Sequence, residues 1–192
     1  TMKEFPILEK NEIVLRRLET SDYESYLDYV TDEKISSQFN FNYNEESAKL
    51  RLEELVEKYS QENKPFVWVI ALKDTNEFVG MITIDSISFS NKRFSLAYGI
   101  RATYRGNNYA YIASVALINY IFNNFDMHRL ELAHNTDNIA SQKIIEKLGA
   151  KFEGIARESK FYNNGFKDRK IYSILKQEWL EGKNNELWNF SK

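Results

Sequence analysis

The stretch 93–125 constrains the fold more than any other, because it combines a strand, a glycine-containing turn and a buried helix. Residues 93–100 read RFSLAYGI, in which large apolar residues alternate with small ones. This period of two predicts a β-strand. Its small side, which predicts room for something to lie against the strand, consists of Ser95, Ala97 and Gly99. Apolar residues on nearly every side of the following segment predict a buried helix over 107–123.

The turn between this strand and this helix predicts an anion-binding site. The first turn of a helix carries unpaired N–H groups and a partial positive charge. A glycine lets a ligand approach the backbone closely, and an arginine adds a forked donor. The residues that supply these features are Arg105, Gly106, Asn107, Asn108, Tyr109 and Ala110. They suit a phosphate or pyrophosphate, although an ordinary strand–helix connection that needs a glycine would read the same way.

Composition limits the function further. The 192 residues predict a single domain over 1–192, with an N-terminal lead at 1–9 and a C-terminal tail at 179–192. A net charge of −2 gives no basic surplus for nucleic acid, so we expect no direct nucleic-acid binding. The absence of cysteine excludes disulfides, thiolate metal ligands and a cysteine nucleophile. With only two histidines as well, we expect no metal site.

The sequence also predicts where the protein works. Its apolar runs are shorter than the roughly 20 residues that a membrane helix needs. No charged and then apolar segment typical of a signal peptide occurs at its start. We therefore expect a cytoplasmic protein without membrane contact.

The remaining patterns predict an α+β fold. Strands are predicted at 12–18, 66–72, 78–84, 128–134, 152–162 and 166–175, and further helices at 22–30, 45–60 and 138–148. Residues 36–44 have no clear periodicity. Asn164-Gly165 is a strong hairpin signal. The strand–helix–strand unit at 93–134 should place its two strands parallel.

Several motifs in this order resemble the GNAT acyltransferase superfamily, and more narrowly its RimJ/RimL-type branch of ribosomal-protein N-terminal acetyltransferases. The resemblance spans roughly residues 10–180. Its motifs are the glycine turn, Asn138-Ile139-Ala140-Ser141, Glu146-Lys147-Leu148-Gly149-Ala150, Phe152-Glu153-Gly154, Arg157, Asn164-Gly165, Asp168 and the stretch from Tyr172 to Trp179. It implies a mixed, mostly antiparallel sheet flanked by helices, with splayed central strands that form an acyl-CoA groove.

The resemblance also implies how acetyl-CoA is held. The family signature before the central helix is Arg/Gln-x-x-Gly-x-Gly/Ala, which Arg105 and Ala110 match while Asn108 replaces the middle glycine. Asparagine tolerates left-handed backbone better than most residues. The amides of 106–110 would hold the CoA pyrophosphate, and the backbone of Gly99 and Ile100 would bind the pantetheine.

The catalytic residues depart from the commoner pattern. Many relatives carry a glutamate where this chain has Ser95, and a tyrosine acid where it has Ile145. In the RimJ/RimL-type branch a serine replaces that acid, and Ser141 matches it. Asn138 would bind pantetheine or orient the site, and it could equally be an ordinary helix cap. The candidates for the general base are Glu131, His134 and Asp85, each of which could instead be a solvated, salt-bridged or capping residue.

These residues imply an acetyl-CoA-dependent N-acetyltransferase that acts by direct transfer on an amine, foremost the N-terminal α-amine of a protein. One alternative is a small-amine acetyltransferase for a polyamine, an aminoglycoside or an amino acid. Another is a non-catalytic CoA-binding module, and a third is a phosphate-binding protein of a different fold. A homodimer is left open.

Overall fold

The computed structural model describes residues 4–61, 66–162 and 165–182. The chain divides into two compact units. The first unit consists of Thr1–Ile84 and Ala97–Leu117, and the second consists of Asp85–Leu96 and Ile118–Lys192. Because two strands and one helix cross these boundaries, they contribute to both units.

The first unit combines strands with three whole helices and half of a fourth. Its strands are β1 (Leu8–Lys10), β2 (Ile13–Arg16), β3 (Val67–Leu72), most of β4 (Phe78–Ser88) and the end of β5 (Arg93–Ile100), in that order. The pairs β1–β2, β2–β3 and β3–β4 are antiparallel. Its helices are α1 (Tyr23–Thr31), α2 (Glu33–Phe39), α3 (Glu45–Lys58) and the first half of α4 (Tyr109–Asn124).

The second unit continues with strands in the order β4-β5-β6-β8-β7. Its own elements are β6 (Arg129–Asn135), α5 (Ile139–Lys147), β7 (Lys151–Tyr162), β8 (Gly165–Leu175) and α6 (Lys176–Glu181). The pairs β6–β8 and β7–β8 are antiparallel. Strands β5 and β6 are parallel, and their ladder covers only three residue pairs, from Arg93–Arg129 to Ser95–Glu131.

Most of the predicted elements are confirmed. The fold is a mixed α+β arrangement with a mostly antiparallel sheet flanked by helices, and the strand–helix–strand unit does place β5 and β6 parallel. Helix α4 is apolar and largely buried along its length. Strands β7 and β8 form the predicted antiparallel hairpin. Asn164 of the predicted hairpin turn lies outside the described residues, and Gly165 has a φ of +120°.

The structure differs from the predicted elements at three places. The segment 36–44, which has no clear periodicity, contains the end of helix α2, and this helix buries only one side chain, Ile35. A period cannot be recognised from one buried residue. The predicted N-terminal lead overlaps strand β1, which is only three residues long. Strand β4 extends to Ser88, beyond the predicted end at residue 84. Three of its last four residues are polar and none of the four is buried, so the apolar pattern that predicted the strand stops early.

The small side of β5, which predicted room for something to lie against the strand, receives side chains of two helices at Gly99. A Cβ built on Gly99 would lie 2.5 Å from Ile35 Cδ1 and 2.6 Å from the Tyr29 hydroxyl. Helices α1 and α2 therefore pack directly on the backbone here. Gly80 on β4 is also required, since its Cβ would lie 2.3 Å from the Gly99 carbonyl oxygen. Two glycines thus bring β4, β5 and the helices into close contact.

Within the described residues, no helix combines the length and the hydropathy needed to cross a membrane.

Candidate active site

In the first unit, the loop that precedes α4 has the backbone conformation expected of an anion cradle. Gly106 has a φ of +86° and Asn108 a φ of +67°. Asn107 between them has no positive φ, and successive N–H groups in a turn of such alternating conformation form a concavity that binds anions. Gly106, Asn107 and Asn108 are exposed to solvent. The asparagine therefore adopts the conformation for which the family uses a glycine, as the sequence predicted.

Helix α4 adds its N-terminus to this loop. The Asn108 carbonyl accepts a hydrogen bond of 3.1 Å from the Ile112 amide, so Asn108 is the residue that begins the helix. The amides of the first turn, which include those of Tyr109 and Ala110, have no partner within a helix. They lie at the positive end of the helix dipole. The predicted residues of the cradle are thus adjacent on one exposed loop and helix end.

Arg105 is held more firmly than the sequence suggested. Its Nε donates to the Ile100 carbonyl at 3.0 Å, and its Nη2 forms an ion pair of 2.5 Å with Asp32. Burial alone would raise the pKa of Asp32, but hydrogen bonds from the Ile35 amide and the Arg105 guanidinium hold that pKa below its usual value. The carboxylate that pairs with Arg105 also caps helix α2, through the Ile35 amide at 3.0 Å.

The two predicted pantetheine residues lie on the packed end of β5. Gly99 is buried beneath Tyr29 and Ile35, and the carbonyl of Ile100 is used by Arg105. Gln38 of α2 donates to the neighbouring Tyr98 carbonyl at 3.1 Å. The backbone at this position is therefore fixed by side chains from α2 and from the loop before α4.

In the second unit, Asn138 and Ser141 belong to the start of helix α5. The Asn138 side chain accepts a hydrogen bond of 3.1 Å from the Ser141 amide and so caps the helix. Ser141 is buried, with 8% of its surface exposed. It lies in the first turn, where the helix dipole stabilises negative charge. Ile145, which occupies the position of the family tyrosine, is buried in the core.

His134 lies on the side of β6 that faces α5. Its ring is buried and stacks on Tyr172 at 5.6 Å between centroids. Its Nδ1 lies 2.7 Å from the Asn135 carbonyl, which can only accept, so Nδ1 carries the proton. Nε2 then faces the Tyr172 hydroxyl at 3.5 Å. Burial lowers the pKa of His134 and raises that of Tyr172, so both are neutral at pH 7.

Glu131 lies on the opposite side of β6, in a row of ion pairs. It accepts from Arg129 Nε at 3.1 Å and from Arg93 Nη1 at 3.4 Å, and 32% of its side chain is exposed. Arg129 also forms a bidentate pair with Glu153. In the parallel ladder Glu131 is the register partner of Ser95, whose hydroxyl lies 2.9 Å from that of Ser86. A carboxylate therefore stands beside the serine that replaces the family glutamate.

Asp85 lies on β4 with its side chain exposed. The second unit thus places Glu131 beside Ser95 on one side of β6, with His134 buried on the other. Within the described residues, no group of three His, Cys, Asp or Glu side chains could hold a metal ion.

Two side chains of the site were not found from the sequence. Asp32 precedes helix α2, which no periodicity revealed, although aspartate before a helix is a usual capping signal. Tyr172, which stacks on His134, begins the motif from Tyr172 to Trp179, but the resemblance gave it no role in the site.

Comparison with known proteins identifies a family whose domain matches most of the chain. The acetyltransferase (GNAT) domain matches residues 12–151. The uncharacterized N-acetyltransferase YoaA of Bacillus subtilis is 26% identical over 174 residues, which cover 90% of this chain and 98% of YoaA. YdaF of the same organism, whose name assigns it provisionally to ribosomal N-acetylation, is 25% identical over 87% of this chain and 93% of its own.

Solved structures share the fold. The ribosomal L7/L12 α-N-protein acetyltransferase RimL, solved with coenzyme A, superimposes with a TM-score of 0.75 and 16% identity. The match covers 88% of this chain and 98% of RimL. The fold and the matched domain define a class of acetyltransferases. The chain belongs to the GNAT acetyltransferase family, and it is an N-acetyltransferase.

Proposed function

We propose that the protein transfers the acetyl group of acetyl-CoA directly to the N-terminal α-amine of a protein. The observation that carries this proposal is the exposed loop before α4, where Gly106 and Asn108 both have positive φ. The amides of Gly106, Asn107, Asn108, Tyr109 and Ala110 would bind the pyrophosphate. Gly99 and Ile100 would offer backbone hydrogen bonds to the pantetheine.

The conformation of Asn108 also argues against a non-catalytic module. That alternative was motivated by departures from the family pattern at Ser95, Asn108 and Ile145. Asn108 has a φ of +67°, so the backbone keeps the shape that a glycine would give it. Ser95 lies beside a carboxylate, Glu131, in the strand register. Asn108 thus keeps the backbone conformation of a glycine, and a neighbouring carboxylate stands in for the glutamate that Ser95 replaces.

An N-terminal acceptor suits a site whose candidate bases are weak. An α-amine with a pKa near 8 is about one-tenth neutral at pH 7, whereas less than about one-thousandth of a lysine amine is neutral. Only the neutral form can attack the thioester carbonyl. Because an α-amine needs little help, a carboxylate that acts through water is sufficient.

We assign the general base to Glu131. Its side chain is partly exposed, in contrast to the buried His134, and it lies beside the position of the family glutamate. Glu131→Gln should lower kcat/KM for the acceptor and leave acetyl-CoA binding unchanged. Equal activity of this variant and the wild type would remove Glu131 from the mechanism.

We assign the general acid to Ser141. As the C–N bond forms and the C–S bond breaks, the sulfur takes the proton of the Ser141 hydroxyl. The proton lost by the amine passes to Glu131 and returns through solvent to Ser141. The first turn of α5 would stabilise the transient negative charge on the Ser141 oxygen or on the leaving sulfur. Asn138 fixes this turn through its hydrogen bond to the Ser141 amide.

Thiol release from acetyl-CoA, measured across a panel of acceptors, tests this function. The panel contains peptides with free N-termini, the same peptides with blocked N-termini and a free lysine, polyamines, and aminoglycosides. We expect release with the free N-terminal peptides alone. Release only with polyamines or aminoglycosides would support a small-amine acetyltransferase. Acetyl-CoA binding with no release for any acceptor would support a non-catalytic module.

A further inference from the structure

Arg169 in the second unit is half-buried, and one nitrogen of its guanidinium has no hydrogen-bond acceptor among the described residues. It lies on β8, where its register partners are Asn135 on β6 and Ala156 on β7. Its Nη2 donates to the Ala133 carbonyl at 3.2 Å. Its Nε is buried and has no hydrogen-bond acceptor among the described residues. A buried donor without an acceptor is costly and calls for a physical explanation.

Other arginines show what is missing at Arg169. Each of the other buried or half-buried arginines in the described ranges forms an ion pair with a carboxylate: Arg16 with Asp22, Arg51 with Glu54, Arg101 with Asp28 and Glu77, Arg105 with Asp32, and Arg129 with Glu131 and Glu153. Within the same ranges, Arg169 forms no ion pair. Its guanidinium thus offers forked donors and a charge that no carboxylate neutralises.

The surroundings of Arg169 favour an anion. Lys167 lies two residues away and therefore on the same face of the strand. Its ammonium lies 5.4 Å from the centre of the Tyr162 ring and 3.3 Å from Asp137, a carboxylate that is 70% exposed. Asn135 accepts a hydrogen bond from the Tyr162 hydroxyl at 2.9 Å. Lys160 also lies 5.4 Å from the centre of the Tyr162 ring, so two lysines lie near this tyrosine, and the Tyr162 and Asn135 side chains are themselves buried.

Arg169 lies on the same face of the sheet as the proposed base. Glu131, Ala133 and Asn135 alternate along β6 with an unbroken register against β8. Four residues of strand separate Glu131 from Asn135, a distance of about 13 Å. An extended peptide advances about 3.3–3.6 Å per residue. A peptide that lies along β6 towards Asn135, with its α-amine near Glu131, would therefore place one of its residues 3 to 5 near Arg169.

We propose that Arg169 binds an acidic side chain of the acceptor polypeptide, within residues 3 to 5 of its N-terminus. The proposal rests on the proposed function, because it assumes an N-terminal acceptor. The carboxylate would accept hydrogen bonds from the Nη groups of the half-buried guanidinium, whose fork favours bidentate pairing, whereas the buried Nε is out of its reach. Arg169 is thus a specificity-determining residue for the acceptor, and the acceptor class is a protein with an acidic N-terminal segment.

Paired peptides test this directly. A series of peptides with free N-termini carries one glutamate at each position from 2 to 6, and a matched series carries glutamine there. We expect the wild type to prefer glutamate at one position within 3 to 5 by about tenfold to a hundredfold in kcat/KM, as for a charge-assisted hydrogen bond. Equal rates for glutamate and glutamine at every position would overturn the proposal.

Three variants locate the effect. Arg169→Gln should abolish the preference, and Arg169→Lys should retain only part of it, because lysine keeps the charge without the fork. Arg157→Gln is the matched control, since it removes the same charge from an exposed arginine on β7. Loss of the preference in Arg157→Gln as well, or its retention in Arg169→Gln, would overturn the proposal. So would a raised KM for acetyl-CoA in Arg169→Gln with an unchanged acceptor preference.

A binding measurement separates this proposal from the proposed function. Fluorescence anisotropy of a labelled glutamate peptide and its glutamine twin requires no turnover. Tighter binding of the glutamate peptide that depends on Arg169, without any acetyl transfer, would support the anion site and contradict the proposed function. Acetyl transfer to all peptides at equal rates would support the proposed function and contradict the anion site.

Discussion

Replacement of Asp32 by asparagine should tighten the binding of acetyl-CoA. In the protein, Asp32 forms an ion pair with Arg105, whose side chain is 31% exposed, beside the loop proposed to bind the pyrophosphate. The ion pair neutralises the cation nearest to that loop. Asparagine removes the charge while keeping an oxygen that can cap α2, since the two residues are about equally good helix caps.

The magnitude follows from the exposure of the pair. A partly exposed guanidinium that exchanges a carboxylate for a phosphate gains about 0.5–1.4 kcal/mol, which corresponds to a two- to tenfold lower Kd. The lost ion pair costs less than about 1 kcal/mol of stability. Isothermal titration calorimetry with CoA, at low and at high salt, measures the first quantity, and urea unfolding measures the second.

Two controls make the experiment decisive. Asp28→Asn removes the same charge from helix α1, but its partner is Arg101 at 2.8 Å rather than Arg105. Asp32→Ala removes the charge and the cap together, so it should lose about 1 kcal/mol of further stability. An unchanged or higher Kd in Asp32→Asn would refute the reasoning, because Arg105 would then serve only to hold the loop in place. An equal gain in CoA affinity in Asp28→Asn would show that the effect comes from the change in net charge and not from Arg105.

Three further perturbations follow from the same structure. Ser141→Ala should lower kcat at least tenfold while the Kd of acetyl-CoA stays within about twofold, and an equal loss of both would make Ser141 a binding residue. Gly80→Ala should destabilise the protein by about 1–3 kcal/mol in urea unfolding, because the new Cβ meets the Gly99 carbonyl oxygen at 2.3 Å, and wild-type stability would contradict that packing. Hydrogen bonds from Arg129 and then Ser173 lower the pKa of Glu153 to about 2, so its contribution to stability is present above the unfolded pKa of about 4.3 and is lost as the pH falls towards 2. Glu153→Gln should therefore flatten the decline of the melting temperature between about pH 5 and pH 2, and an unchanged slope would show that the decline has other origins.

Local patterns were sufficient for the elements that bury a continuous side. The alternation at 93–100 and the apolar sequence of α4 each repeat over several turns or pleats, so periodicity alone located them. Helix α2 buries only Ile35, and its sequence therefore carries no period to detect. The conformation of Asn108 was also predictable, because few residues other than glycine and asparagine tolerate a φ of +67°.

The parts of the site that could not be predicted depend on long-range contacts. Arg105 and Asp32 are 73 residues apart, and nothing local to either one indicates the other. The packing of Tyr29 and Ile35 on Gly99 likewise joins distant segments. The sequence therefore predicted room beside the small side of β5 but not which residues fill it. The pairing of Ser95 with Glu131 required the register of two strands joined by a helix. Their parallel direction was predictable from the crossover rule, whereas their register was not.

Where the acetyl group goes is the most direct test of the central claim. A peptide with a free N-terminus and an internal lysine is incubated with the protein and acetyl-CoA, and fragment-ion mass spectrometry locates the added acetyl group. The account predicts one acetyl group on the α-amine of the first residue, and none when that amine is blocked beforehand. An acetyl group on the lysine, or none on either amine while polyamines are acetylated, would contradict it.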